Sequence, residues 1–564
     1  MMKLNKNYNR EQFIEFLDSF LPDFTKDIRK VDVDKLKNLN AAYYLGENKK
    51  LDIQIFELTH KVNPKSRIAL ATDGFRIMRD SASFQALVSF YNPEIDGWRL
   101  SLMTAIPEIT DKGKANTVLS NPRRCSFALG PKAKINTPYN FLIKKGKVNN
   151  FDELKERFSV EVVNKEFYIE IAEHYTKLVG GIKEKGKNKV EYPGLIKLPS
   201  VAKDSKINHE FAVRLIGRII FCWFLKEKKS KTGIPLISEE VLSFKAIKNN
   251  SNYYHKVLEP LFFEILNKSF ESRKEKYTKE TCRLTPYLNG GLFTPHSDDF
   301  YSSDDEDQAV NNNIVVVPDE WLLALFEVLE LYNFTIDENT LVDIDLSIDP
   351  EMLGRIFENL LAEINPETGE TARKNTGSYY TPREIVNYMI DESLFYYLKY
   401  KTDINNNELK SLISYDLNDD IEYPINESNK FKLVKALNDL KLLDPACGSG
   451  AFPIGALQKI LYILQVIDPS GRLWFEQQIE NVPPEIKRLI EKEFYDKNLD
   501  YVRKLGIIRN SIFGVDIQPV ATEISRLRCF LTLVVDELVR DEEKNRGIEP
   551  LPNLDFKFVT ANSP

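Results

Sequence analysis

The sequence predicts an α/β plus α fold: a small N-terminal α/β domain, a helical connector, and part of a doubly wound sheet of parallel strands. Three observations predict it. Short β-rich runs separated by turn residues fill about residues 1–145. Long runs with apolar residues recurring at three and four dominate 146–330. Within 331–564, a short apolar run ends in an aspartate, a glycine turn and a helix, and a second run ending in aspartate lies downstream.

Taken in order, helix patterns occupy the first thirty residues. AAYYLG (41–46), LDIQIFELTH (51–60), ALVSFY (86–91) and WRLSLMTAI (98–106) then read as strands, with a helix over 71–84 between them. In the connector, NFDELKERFS starts a helix with Asn150 as its N-cap, because an asparagine side chain satisfies a first-turn N–H. HEFAVRLIGRIIFCWFLKEK (209–228) and YYHKVLEPLFFEILNKSF (253–270) read as buried helices, and the acidic, polar stretch 296–313 as a surface loop. Beyond 331, DPEMLGRIFENLLAEI (349–364) is an amphipathic helix, and residues 382–400 form another with Pro382 in its first turn. Residues 402–430 read as a surface connection, and FKLVKALNDL (431–440) leads into the glycine turn.

The 564 residues suit three or four domains, and 43% hydrophobic composition allows sizeable cores. No apolar run reaches the roughly 18 residues that cross a bilayer, and the first residues lack the apolar stretch of a signal peptide. The expectation is a cytoplasmic protein with no membrane partner. Five scattered cysteines without a CxxC fit reduced thiols. A net charge of -7 excludes neither nucleic acid nor its absence, since duplex binding needs only a local basic face. The basic stretches 183–189 and 226–231 are short and read first as solvated loops.

The chemistry centres on LLDPACGSGAF (442–452). In a doubly wound sheet, ligands sit beyond the carboxyl ends of the strands. Gly448 and Gly450 let the backbone approach a ligand closely. The helix that follows offers N–H groups to a carboxylate, and Asp444 can accept from an ammonium group. Asp516 ends the run IFGVD, where a carboxylate can accept from both ribose hydroxyls. The 72 residues between Asp444 and Asp516 exceed the roughly 20 of a compact dinucleotide unit, and a helical insertion over 468–506 accounts for the excess. A third strand is expected at LDFKFVTAN (554–562).

The string DPACGSGAF resembles motif I of the N6-adenine DNA methyltransferases. GSYYTP (377–382) and IFGVDIQPVATEISRLR (512–528) resemble the segment preceding motif I and motif II of that class, in the family's order. Alone, GSYYTP would read equally as an ordinary loop before a helix. The resemblance implies a Rossmann-like domain that binds S-adenosyl-L-methionine. Its contacts would be Tyr379, Tyr380, Thr381, Pro382, Asp444, Pro445, Ala446, Gly448, Gly450, Asp516, Ile517 and Asn562. At Asn562 the family's usual residue is acidic.

Methyl transfer to adenine also needs an acceptor for the amine and an aromatic platform for the flipped base, which the family supplies as (Asp/Asn)-Pro-Pro-aromatic. That motif does not occur here, so no catalytic residue is assigned. Asn481-Val482-Pro483-Pro484-Glu485 has an inserted valine and no aromatic, and reads as a helix start. The expectation is a chain truncated before that motif: a fragment, an interrupted gene, or a subunit completed by another polypeptide carrying the remaining methyltransferase and target-recognition regions. A non-catalytic cofactor- or DNA-binding role is the alternative.

SNPRRCSFALGPKAKINTPYNFL (120–142), followed by NFDELKERFSVEVVNKEFY, resembles the upstream part of type IIG restriction–modification enzymes. The resemblance implies a nuclease-like domain over 1–145, a connector over 146–330, the first part of an adenine methyltransferase domain over 331–564, and double-stranded DNA as partner. A nuclease of this kind holds Mg²⁺ on two carboxylates beside a lysine. Asp52 and Glu57 are the candidates, but Thr59 stands where E-x-K needs lysine, Lys61 comes two residues late, and the odd spacing sends the carboxylates to opposite faces of a strand. A degenerate domain is at least as well supported. His60 reads as structural, and Arg67, Arg76, Arg123 and Arg124 as ion-pair formers that could otherwise touch phosphate.

Overall fold

The computed structural model describes residues 3–562 apart from 34–37, 62–66, 110–114, 186–187, 200–204, 289–292, 302–314, 341, 363–380, 415–424, 481–497, 551–553 and 555. It is a mixed α/β structure whose largest sheet has seven strands.

Helix α1 (Arg10–Phe20) starts where the Asn9 side chain accepts from the Gln12 N–H. β1 (Thr25–Val31), β2 (Leu39–Asn48), β3 (Ile53–His60), α2 (Arg67–Asp80), β4 (Gln85–Tyr91), β5 (Trp98–Ile109) and β6 (Ala115–Leu129) follow. The sheet order is β1-β2-β3-β4-β5-β6, antiparallel except β3 against β4, which α2 joins as a parallel crossover. Alternation along β3 explains why both faces are covered. Ile53 and Ile55 join the core that includes Phe13, Phe16 and Phe20 of α1. Phe56 and Leu58 pack in a separate core with Leu70, Phe75 and Met78 of α2.

The connector contains α3 (Val160–Val179), a hairpin of β7 (Gly181–Lys185) and β8 (Asn188–Tyr192), α4 (Ser205–Glu227) and α5 (Asp319–Leu331). Asn150 caps the short helix before α3 by accepting from the Glu153 N–H. Phe211 to Leu225 of α4 are buried almost continuously, as the sequence requires of a central helix. The expected helix near 253–270 forms, but Tyr254–Leu258 and Leu261–Leu266 wind as wide π-turns. Pro260 lies between them and cannot donate to the ladder.

The seventh strand lies outside the first 145 residues. β9 (Asp343–Asp345) pairs parallel with β6. Asp343 and Asp345, two apart, face the same side, and their carboxylates meet the buried guanidiniums of Arg124 at 2.7 Å and Arg99 at 3.0 Å. The sheet therefore ties the chain beyond residue 331 to its N-terminal part. Arg124 is an ion-pair former, and Arg123 meets Glu384 at 3.4 Å.

The last region runs α6 (Glu351–Ala362), α7 (Arg383–Thr402), α8 (Asn406–Ile413), α9 (Glu427–Asp439), β10 (Leu442–Asp444), α10 (Ala451–Ile467), α11 (Leu499–Asn510), β11 (Ile512–Asp516), α12 (Pro519–Val534) and β12 (Phe558–Thr560). Pro382 sits one residue outside α7, with extended ψ, rather than in its first turn. The stretch after α7 is not only connection, because α8 buries Leu409, Leu412 and Ile413. β10, β11 and β12 form a second sheet in that order, all parallel. Among the described residues no single helix is long and apolar enough to cross a membrane.

Candidate functional site

Parallel pairing of β10 and β11 brings their carboxyl ends, Asp444 and Asp516, to one edge of the sheet. The loop between β10 and α10 is fastened to that edge. The Cys447 N–H donates to the Val515 carbonyl at 2.9 Å, and the Gly448 N–H to Asp516 Oδ2 at 2.9 Å. The close approach requires glycine. A Cβ on Gly514 would lie 2.8 Å from Cys447 Sγ, and Gly450, at φ +87°, would place one 2.9 Å from Ser525 Oγ. Gly448 also has positive φ, at 53°.

The two carboxylates are satisfied differently. Asp516 Oδ1 accepts from the Gln518 N–H at 2.8 Å while Oδ2 holds Gly448. Each oxygen keeps a lone pair for a further donor. Asp444 Oδ1 accepts from the Ala446 N–H at 3.1 Å, but Oδ2 is shielded from solvent and has no hydrogen-bond partner among the described residues. Burial pushes the Asp444 carboxyl above the usual carboxylate range, and the nearby charge of Asp516 adds to the rise. Neither aspartate is ion-paired among the described residues, so this edge carries uncompensated negative charge. Beside it, α10 begins at Ala451 with Gly450 as a cap that has no side chain to occupy the first-turn N–H groups. One small site thus offers an acidic oxygen with no partner among the described residues, a positive helix end, and a second carboxylate with spare acceptor capacity. It suits a zwitterionic ligand with hydroxyl groups.

The remaining site residues expected from the sequence fall around this edge or outside the description. Thr381 is half-buried and Pro382 exposed, both directly ahead of α7, while Tyr379 and Tyr380 lie outside the described residues. Pro445, Ala446 and Ile517 are exposed, Ile517 by 62%. Asn562 is exposed just after β12, next to Ala561, whose N–H donates to the Asp516 carbonyl at 3.0 Å.

Sequence reasoning missed the residues that support the loop. Ser525 Oγ donates to the Gly448 carbonyl at 3.0 Å. Arg528 Nη1 donates to the Ser449 carbonyl at 2.9 Å, and its other nitrogens hold Glu338 at 2.9 and 3.0 Å. The signals were an arginine on the buried face of an apolar helix and Gly354 inside a helical pattern, which implies close backbone approach.

The expected metal pair does not assemble. Asp52 is exposed in a turn ahead of β3, at φ 52°. Glu57 is fully buried, and Arg10 grips both its oxygens at 2.6 and 2.8 Å while Tyr8 donates at 2.7 Å. A carboxylate already neutralised by a guanidinium has little to offer a divalent cation. No cluster of metal-ligating side chains occurs among the described residues. His60 is buried, and desolvation together with Arg124 lowers its pKa to about 3, so it stays neutral.

No family model matches the chain. A Methanocaldococcus jannaschii protein provisionally named a type II restriction enzyme and methyltransferase is 30% identical over 392 residues, 68% of this chain and 29% of that protein. A solved type IIL restriction–modification enzyme, MmeI in complex with DNA, aligns over 64% of this chain and 38% of its own, at 17% identity and a TM-score of 0.34. By sequence, this chain is therefore similar to a restriction–modification protein, of whose length it spans 29%.

Proposed function

We propose that this chain holds the S-adenosyl-L-methionine pocket of a site-specific DNA N6-adenine methyltransferase belonging to a restriction–modification system, acting in the cytoplasm on double-stranded DNA. The observation that carries the reading is the pair of carboxylates, Asp444 and Asp516, at the carboxyl ends of adjacent parallel strands beside the helix end at Ala451. S-adenosyl-L-methionine would supply an electrophilic sulfonium methyl group. Asp444 would accept from its ammonium, the first-turn N–H groups of Ala451 and Phe452 would bind its carboxylate, and Asp516 would accept from its ribose hydroxyls. The sulfonium adds positive charge that the uncompensated edge favours. The exposed Ile517 offers an apolar surface to the adenine. Tyr379, Tyr380, Thr381, Pro382 and Asn562 would close the pocket.

A second reading has one observation in its favour. No (Asp/Asn)-Pro-Pro-aromatic motif occurs in the 564 residues, so the acceptor that activates the adenine amine is not among them. The chain would then be a non-catalytic cofactor- or DNA-binding fragment or subunit. Incubation with labelled cofactor and duplex DNA separates the two. Label in the DNA from this chain alone supports a self-sufficient enzyme. Cofactor binding without transfer supports the subunit. Calorimetry that finds no binding of S-adenosyl-L-methionine removes both.

A further inference from the structure

Helix α6 touches both the glycine loop and Arg383, the residue that opens α7. At Gly354 it lies against the glycine loop, since a Cβ there would stand 2.3 Å from Ser449 Oγ and 2.8 Å from Ser449 Cβ. One turn earlier, Glu351 binds Arg383, which also meets Asp349 Oδ2 at 3.2 Å. Arg383 directly follows Thr381 and Pro382, so its anchorage fixes the entry to α7. From the other side, Arg528 of α12 spends one N–H on the Ser449 carbonyl and two on Glu338. Arg355 of α6 bonds back to Glu351 at 3.0 and 3.2 Å and outward to Glu161 of α3 at 2.8 Å.

Arg528, Glu338, Asp349 and Glu351 are all buried. Burying charges is costly, and such pairs contribute little net stability compared with apolar packing. Their value lies in fixing geometry, and what they fix here are the loop at Ser449 and the entry to α7 at Arg383.

We propose that Arg528, Arg383 and Gly354 are positioning residues that set the spacing between the glycine loop and the entry to α7 at Thr381 and Pro382, with α6 as the common reference. The inference rests on the reading of this edge as an S-adenosyl-L-methionine site. Arg528 holds the glycine loop from behind by its carbonyl. Arg383 holds the entry to α7 by two carboxylates on or beside α6. Gly354 sets how closely the loop can lie against that helix. The Arg355–Glu161 pair extends the brace to the connector, so the pocket is referenced to α3 as well.

The test uses the 564-residue chain and two readouts. S-adenosyl-L-methionine is titrated by calorimetry into the wild type, Gly354→Ala, Gly354→Ala/Ser449→Gly and Arg528→Lys, each checked for an intact melting transition. Gly354→Ala weakens binding about tenfold and the added Ser449→Gly restores it, because the clash is with the serine side chain. Arg528→Lys weakens binding about tenfold, since an ammonium cannot hold Ser449 and both Glu338 oxygens in one plane. Unchanged affinity in both folded single variants overturns the proposal. Amide exchange of the unloaded chain reads the brace without cofactor. Arg528→Lys, or Glu338→Gln should the lysine variant not fold, speeds exchange at 446–451 and not in the seven-stranded sheet. Equal exchange there overturns the brace. A wild type that binds no cofactor overturns the pocket reading, while the exchange result still decides whether the brace holds the loop.

Discussion

Two regions of this chain present carboxylates on β-strands, and their surroundings give them opposite capacities. At the end of β10, Asp444 keeps an oxygen without a partner among the described residues, next to a second aspartate and no ion-pairing cation. In the middle of β3, Glu57 has both oxygens taken by Arg10 and a hydroxyl from Tyr8. The first arrangement leaves an electrostatic need that a cationic ligand would relieve. The second is complete as it stands. Residue type and strand placement are shared, so the difference lies in what has already neutralised the charge.

The largest effect expected from breaking this contrast is at the glycine loop. Asp444→Ala and Asp516→Ala should each abolish measurable S-adenosyl-L-methionine binding by calorimetry. Asp516→Ala also removes the acceptor of the Gly448 and Gln518 N–H groups, so its loop should loosen in amide exchange. Asp444→Ala removes one local contact, to Ala446, and should leave the loop in place. Unchanged affinity in both variants would end the pocket assignment.

A smaller effect belongs to β3, and it concerns stability. Arg10→Met strips the guanidinium from a fully buried Glu57, an event that costs about 3–5 kcal/mol for an enclosed pair. Arg10 is itself 34% exposed, so water can replace part of it and about 2 kcal/mol is expected in denaturant unfolding. Glu57→Gln should be milder, since the amide oxygen still accepts from Arg10. In the same region, titration of Mg²⁺ should give no saturable heat that Glu57→Gln abolishes. A site lost with that substitution would show that Glu57 exchanges Arg10 for a cation and that the contrast with Asp444 is wrong.

These two regions were unequally legible in the sequence. The strand, glycine turn and helix at 442–467 rest on local chemistry, and Asp444, the turn glycines and Asp516 lie where the pattern puts them. The pairing partner of Glu57 is 47 residues upstream, beyond any local pattern. The same limit hid three strands of the seven-stranded sheet. β1, TKDIRKV, is almost wholly exposed and lacks an apolar alternation. β6 lies in a segment whose charge and turn residues masked it. β9 is three residues long with two buried aspartates, whose partners Arg124 and Arg99 come from strands far away in sequence. Gly354 and Arg528 were visible as oddities within helices, but their common target, Ser449, required the fold.

The smallest and sharpest effect is the pH dependence that follows from Asp444. Burial and Asp516 raise the Asp444 carboxyl, so the folded chain holds that proton more tightly than the unfolded chain does. The sign follows: this group's contribution favours folding at low pH and is lost as pH rises from the ordinary aspartate range through the raised folded value. Asp444→Asn should therefore stabilise the unloaded chain slightly at neutral pH and not below the aspartate range, read as a small rise in melting temperature. Cofactor affinity should run the other way. A cationic group binds the ionised carboxylate, so affinity falls as acidification protonates Asp444, about tenfold per pH unit below its raised pKa. Glu57→Gln should leave that affinity profile unmoved. An affinity that stays flat through the acidic range in the wild type would show that Asp444 does not meet the ligand's positive charge.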